Sequence, residues 1–221
     1  MPVPDEIEAK VKIADPAAFR RRMAAFGPPQ AGPVLEVNRL LDFADGRLRQ
    51  SDAAVRVRVE YAIDGGAPLR TLLAYKGPRR DGRVKRRPEF QTAVESADAV
   101  LAILGAMGLV ETFRFEKRRT AWRVGDCEVV LDELPHLGWF TEVEGPTEDA
   151  VLACLADLGL AGKPIIKETY MRLLAEHLAA RGLDPAVAVF PPGTWSSIGD
   201  APRFRVKAGK IANVFGVDFR K

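Results

Sequence analysis

Cysteine and histidine are scarce in this chain. Its 221 residues hold two cysteines, Cys127 and Cys154, and two histidines, His136 and His177. The cysteines have neither a metal-binding nor a redox spacing, which predicts reduced thiols in a cytoplasmic protein. The histidines lie far apart in sequence, and no second pair exists to complete a zinc site. No apolar run approaches the roughly 20 residues that a helix needs to cross a bilayer, so no membrane partner is expected. The opening Met-Pro-Val-Pro-Asp-Glu lacks the basic start and apolar stretch of a signal peptide. There is no short-period repeat and no low-complexity tract. The net charge is only +3, so the overall balance predicts no nucleic-acid partner, and what matters is where the charges sit.

What remains is an ordinary globular composition, 47% hydrophobic and 29% charged, long enough for one well-packed domain with an appendage. Four helices are expected. Asp15-Pro16 supplies an N-cap followed by proline at the first helical position, and Phe19, Met23 and Phe26 form one face before Gly27. Ser96 begins a second helix carrying Val100, Leu101, Leu104 and Met107. Thr147 begins a third with Val151, Leu155 and Leu158. A fourth runs from about Lys167 to Gly182 with Met171, Leu174 and Leu178 on one side. Between them the sequence alternates with period two. Strands are expected near 6–13, 34–43, 54–61, 69–76, 84–94, 110–123, 127–133 and 138–144, separated by turn signals such as Asp45-Gly46, Asp81-Gly82 and Gly125-Asp126.

Successive strands carry charge on one face and apolar side chains on the other. Glu6, Glu8, Lys10 and Lys12 oppose Ile7, Ala9, Val11 and Ile13. Arg56, Arg58 and Glu60 oppose Val55, Val57 and Val59. Lys85, Arg87, Glu89 and Gln91 share a face, as do Phe113, Phe115, Lys117 and Arg119, and Glu142 and Glu144 flank Val143. The helices carry apolar faces that must cover something, and the apolar strand faces are the natural partner. A sheet that then closes into a barrel turns its charges inward and removes its edges. An interior rich in arginine and lysine is costly when empty, since two like charges about 4 Å apart repel by roughly 4 kcal/mol at an effective dielectric near 20. Phosphate suits arginine and lysine, and paired glutamates suit a hard, oxygen-liganded cation such as Mg²⁺ or Mn²⁺. One ligand satisfies both charge sets: a metal-bound polyphosphate.

The order of these segments resembles the CYTH superfamily, the triphosphate tunnel metalloenzymes, which include class IV adenylyl cyclases and thiamine triphosphatases. Glu6-Ile7-Glu8-Ala9-Lys10 is similar to the Glu-x-Glu-x-Lys opening of that family. Asn38 to Asp42 with Asp45-Gly46, Val55-Arg56-Val57-Arg58, Tyr75-Lys76-Gly77-Pro78 and Lys117-Arg118-Arg119 follow in family order. So do Leu131-Asp132-Glu133, Leu137 to Glu144, and Tyr170 with Leu173-Leu174. The resemblance implies an α+β fold, an eight-stranded antiparallel closed β-barrel with helices packed outside. It implies metal ligands at Glu6, Glu8, Glu142 and Glu144, and phosphate contacts from Lys10, Arg56, Arg58, Lys76, Arg87, Lys117 and Arg119. Glu89 and Asp132 would bind a second metal or orient water. The family's Arg-x-Glu-x-Glu strand reads Arg87-Pro88-Glu89-Phe90-Gln91 here. Gln91 is no general base and a weaker metal ligand, and Pro88 suggests a bulge or edge.

The implied chemistry is hydrolysis of inorganic triphosphate, ATP or thiamine triphosphate. Two other readings stay open: a class IV adenylyl cyclase releasing pyrophosphate from ATP, and a polyphosphate or nucleotide binder without turnover. Cys127, Trp122 and Trp139 are expected to be packed, and Arg79, Arg80 and Arg86 to form a solvated rim. The tunnel domain is assigned to 1–182, and 183–221 to a C-terminal extension in which 203–219 has the pattern of a hairpin or tail.

Overall fold

The computed structural model describes residues 5–30 and 32–191. Eight strands close on themselves. They are β1 (Asp5–Ile13), β2 (Val34–Phe43), β3 (Ala54–Ala62), β4 (Pro68–Lys76), β5 (Lys85–Val94), β6 (Leu109–Val124), β7 (Cys127–Leu134) and β8 (Gly138–Glu144). Their order around the sheet is β2-β3-β4-β5-β1-β8-β7-β6, and β2 pairs β6 to complete the ring. Every one of these pairings is antiparallel. The closing ladder runs from Val34 opposite Arg119 to Phe43 opposite Leu109.

The apolar strand faces turn outward, and helices cover those of β1, β7, β8, β2 and β3, while Leu69, Tyr75 and Phe90 of β4 and β5 stay exposed. Helix α1 (Pro16–Met23) starts at Asp15, whose carboxylate accepts from Ala18 N at 2.9 Å, and it buries Phe19 and Met23. Helix α4 starts at Thr147, which caps Ala150 N at 3.1 Å, and spans Glu148–Asp157. Glu148 and Asp149 in its first turn complement the helix dipole. These two helices lie on Ile7, Ala9, Val11, Val129, Leu131 and Val143 of β1, β7 and β8. Trp122 and both cysteines are buried in the same layer, Trp122 meeting Phe19 edge-on. Burial pushes the Cys154 thiol up to about 12, which keeps it protonated and inert. Helix α3 (Ala97–Ala106), capped by Ser96, covers Leu41, Val57 and Leu109.

Two short elements escape sequence periodicity. Helix α2 (Arg47–Gln50) follows a left-handed Gly46, and Asp42 accepts from Leu48 N and Arg49 N at its start. Past Gly182 the chain returns to the barrel, where β9 (Val187–Ala188) pairs in parallel with β6 at Arg114 and Phe115. The segment 203–219 lies outside the described residues. Pro88 produces no break in the ring. It stands where β5 changes partners, with 85–88 on β1 and 89–94 on β4. The register shifts fall instead at Leu40/Leu41 and Glu60/Tyr61.

Helix α5 (Tyr170–Ala179) does more than cover an outer face. Its Tyr170, Leu174 and Leu178 pack on Phe113, Phe115, Leu134 and Phe140, which alternate onto the inner side of their strands. An apolar cluster therefore fills part of one end of the barrel. Among the described residues, no helix is long and apolar enough to cross a membrane.

Leu158 is fully buried between α4 and the barrel. Leu158→Ala is expected to lower unfolding free energy by about 2–5 kcal/mol. Chemical denaturation checks this, and a loss below about 1 kcal/mol would mean that α4 does not anchor the wall.

Candidate active site: a charged barrel interior

With the apolar faces outward, the charged faces meet inside. They line a cavity of about 1260 Å³ that is bordered by every expected metal, phosphate and catalytic residue except Asp132, which is fully buried. Strand register builds the site in layers. Glu8 of β1 lies opposite Glu144 of β8, which lies opposite Glu128 of β7. One step along β1, Lys10 lies opposite Glu142.

In the first layer, Glu6 accepts from Lys76 Nζ at 2.6 Å and Glu8 from Lys85 Nζ at 2.5 Å. Glu89 pairs with Lys76 at 3.1 Å and Arg56 at 3.6 Å. Gln91 Oε1 accepts a long hydrogen bond from Arg56 at 3.4 Å. Burial and the neighbouring Glu6, Glu8 and Glu128 push the Glu144 carboxyl up to about 7. Burial opposes ionisation of Glu6, but Lys76 and Lys85 outweigh it and hold the carboxyl below its ordinary value.

The second layer is a continuous ion-pair network. Glu142 meets Lys10 at 3.3 Å and Arg119 at 2.7 Å. Arg119 grips Asp132 with two hydrogen bonds of 2.8 and 2.7 Å. Lys117 bridges Asp132 at 3.1 Å and Glu36 at 3.3 Å. Arg58 meets Glu36 at 3.1 Å and donates to Asn38 Oδ1 at 3.1 Å. Burial would raise Glu142, but Lys10, Lys117 and Arg119 hold it well below the usual carboxylate range. Glu36 is held down in the same way by Arg58, Lys117 and Arg119. Burial and the adjacent Arg58 lower Arg56 to about 10, which leaves it charged at neutral pH.

Arg87 is placed differently. It is buried and donates to the carbonyls of Gly77 at 2.7 Å and Asp52 at 2.5 Å, so it ties two loops together. Arg79 pairs with Asp52, and Arg80 and Arg86 pair with Asp5, in a half-exposed rim. Sequence reasoning passed over Glu36 and gave Lys85 no role. The signal for both was available: Glu36 and Asn38 alternate onto one face of β2, and Lys85 continues the face of Arg87 and Glu89. His136 and His177, distant in sequence, stand with ring centroids 6.1 Å apart.

A buried carboxylate oxygen, Glu6 Oε2, and a buried guanidinium nitrogen, Arg56 Nε, have no hydrogen-bond partner and both border the cavity. Such atoms are costly to leave unmade. The acidic layer offers only oxygen donors, which fits a hard divalent cation. Among the described residues, no three acidic, histidine or cysteine side chains already form a cage. Glu6 and Glu8 lean on lysines instead, so a cation would take them over from Lys76 and Lys85.

Because Glu144 is raised in the folded protein, the native state holds its proton more tightly than the unfolded chain does. Its contribution therefore lowers stability as pH rises from about 4.5 to about 7 and levels off above that. Melting temperatures measured across this window in chelator should fall more steeply for the wild type than for Glu144→Gln. Parallel curves would show that the acidic layer does not repel Glu144.

Residues 5–157 match the CYTH domain. A protein of Methanocaldococcus jannaschii, named as a putative adenylate cyclase, is 26% identical over 177 residues, spanning 76% of this chain and 97% of its own. A solved structure of a Pyrococcus horikoshii protein superposes with a TM-score of 0.67 at 23% identity, covering 77% of this chain and 98% of that one. A Hippeastrum structure, described as a putative adenylyl cyclase that reveals a dominant triphosphatase activity, superposes with a TM-score of 0.56 at 18% identity. It covers 81% of this chain and 97% of that one. By its closed barrel, its inward charges and the extent of the domain match, this chain belongs to the CYTH domain family.

Proposed function

We propose that this chain is an enzyme that binds a triphosphate with a divalent cation inside its barrel and hydrolyses the terminal phosphoanhydride. The observation that carries this reading is the pairing inside the cavity: Glu6, Glu8 and Glu142 each face a lysine or arginine, while Glu144 stands among carboxylates without a basic partner to hold it down. Glu6–Lys76, Glu8–Lys85 and Glu142–Arg119 are the clearest pairs. Buried ion pairs add little net stability, because desolvation offsets most of their attraction. A metal–triphosphate complex would let both halves of every pair exchange partners without stranding a charge.

Glu6, Glu8 and Glu144 are the residues that would hold Mg²⁺ or Mn²⁺, with Glu142 bordering them. The cation would supply charge neutralisation along the phosphate oxygens. Lys10, Arg56, Arg58, Lys76, Lys117 and Arg119 would bind those oxygens and fix the chain of phosphates in line. Phosphoryl transfer needs mainly such positioning and charge stabilisation. Water would attack the terminal phosphorus as the bridging P–O bond breaks, the diphosphate portion leaving with the bridging oxygen and its electron pair, phosphate being released, and the water's proton passing through a carboxylate to solvent. Glu89 suits that task, because it borders the cavity and Lys76 and Arg56 hold it ionised against burial. Asp132, closed off by Arg119 and Lys117, acts through them as a positioning residue. Such a protein would work in the cytoplasm, and the charged groups that the reading uses lie inside the barrel rather than on a surface open to nucleic acid.

The cyclase reading is favoured by the names of relatives, including that of the archaeal protein. It requires the ATP ribose hydroxyl to attack the α-phosphate and pyrophosphate to leave. Offering triphosphate, ATP and thiamine triphosphate with Mg²⁺ and then Mn²⁺ separates the two. Phosphate release without cyclic AMP is expected. Cyclic AMP with pyrophosphate from ATP would establish the cyclase, and no turnover of any of the three would leave only a binder. Glu142→Gln is expected to cut turnover by about two orders of magnitude. Arg58→Ala should instead weaken triphosphate binding by about tenfold to a hundredfold. Unchanged kinetics in both variants would remove the barrel interior from the reaction.

A further inference from the structure

The first turn of α5 opens into the cavity: Thr169, Tyr170, Met171 and Arg172 all line it. Thr169 caps the helix by accepting from Arg172 N at 3.2 Å. The amides of Tyr170 and Met171 have no acceptor within the helix, as at any helix start. Beside them, Tyr170 is only 6% exposed, and its hydroxyl has no hydrogen-bond partner.

The ring of Tyr170 is held firmly. Phe140 meets it edge-on at 5.5 Å, Lys10 Nζ stands 4.1 Å from its centroid and Lys117 Nζ 5.3 Å. Lys10 also anchors the approach to α5, since its Nζ donates to Glu168 O at 2.8 Å and its carbonyl accepts from Ile166 N at 2.8 Å. Asp132, bonded to Arg119 and Lys117, stands close enough for its charge to act on the phenol, but the Tyr170 hydroxyl meets no acceptor at hydrogen-bond geometry. Burial, with the charges of Asp132 and Glu142, holds the phenol well above its ordinary value, so it remains a donor. A fixed, buried donor that makes no hydrogen bond, beside two lysines and the first amides of a helix, suits a phosphate oxygen as its acceptor.

We infer that the Tyr170 hydroxyl, with the free amides at the start of α5, binds a non-bridging oxygen of the substrate's phosphate chain. This rests on the triphosphate reading and extends it by making α5 part of the binding site. Tyr170 sits at the Lys10–Glu142 layer, two residues along β1 from the Glu8–Glu144 layer. That separation is about 7 Å along a strand. A phosphate chain held by the acidic layer through its cation would therefore present a second phosphate to Tyr170.

Tyr170→Phe tests this on the full chain, because it keeps the ring and removes only the hydroxyl. Calorimetric titration with triphosphate and Mg²⁺ is expected to show affinity about tenfold or more below wild type, with the ligand-free melting temperature unchanged or raised. Equal affinity would overturn the inference while leaving the triphosphate reading intact. Weaker binding with a lowered ligand-free melting temperature would overturn it too, by making the hydroxyl a structural bond. If wild type itself binds no triphosphate, both readings fail together.

Discussion

Closure of the sheet by the β2–β6 ladder is the constraint on which everything else depends. An open sheet with these alternating faces would simply leave its charges in water. Once Val34 to Phe43 pairs along Leu109 to Arg119, the same side chains must neutralise one another in a confined space. The network from Lys10 through Glu142, Arg119 and Asp132 to Lys117, Glu36 and Arg58 is the result. It is balanced but not idle. Under the proposed function each pair would be opened by a ligand that carries both signs, and the partnerless Glu6 Oε2 and Arg56 Nε show where the internal balance is incomplete.

The outer shell explains why such an interior is tolerated. The apolar faces of β1, β7 and β8 bury a continuous layer under α1 and α4, and α3 covers β2 and β3. That layer buries the apolar surface, while the interior carries charged groups paired with one another. Helix α5 belongs to both regions. Leu174 and Leu178 pack it in place, while Tyr170 at its start reaches the charged layer.

Much of this was legible in the sequence because the two periods are clean. In β1 and β3, charges and apolar residues alternate without interruption, so both the strand and its inward face could be read. Caps at Asp15, Ser96 and Thr147 marked helix starts that the structure reproduces. Where alternation blurs, reading failed. In β2, the outward Arg39 and the inward Leu40 reverse the usual sides, which weakened the alternation that Glu36 and Asn38 begin. Four residues of α2 and two of β9 are too short for any period, and β9 exists only because β6 extends beyond its pairing with β7. Arg87 sat on the expected face, yet its guanidinium serves the carbonyls of two loops, a partnership no local pattern encodes. The approach of His136 to His177 is likewise a product of tertiary packing.

The central claim is that one cavity holds cation and triphosphate together, carboxylates on the metal and basic groups on the phosphates. Anomalous diffraction from crystals soaked with Mn²⁺ and triphosphate addresses it most directly. A manganese peak is expected inside the barrel among Glu6, Glu8 and Glu144, with phosphate density running toward Arg58 and Lys117. Manganese only on the outer surface, or phosphate bound outside the barrel, would contradict it.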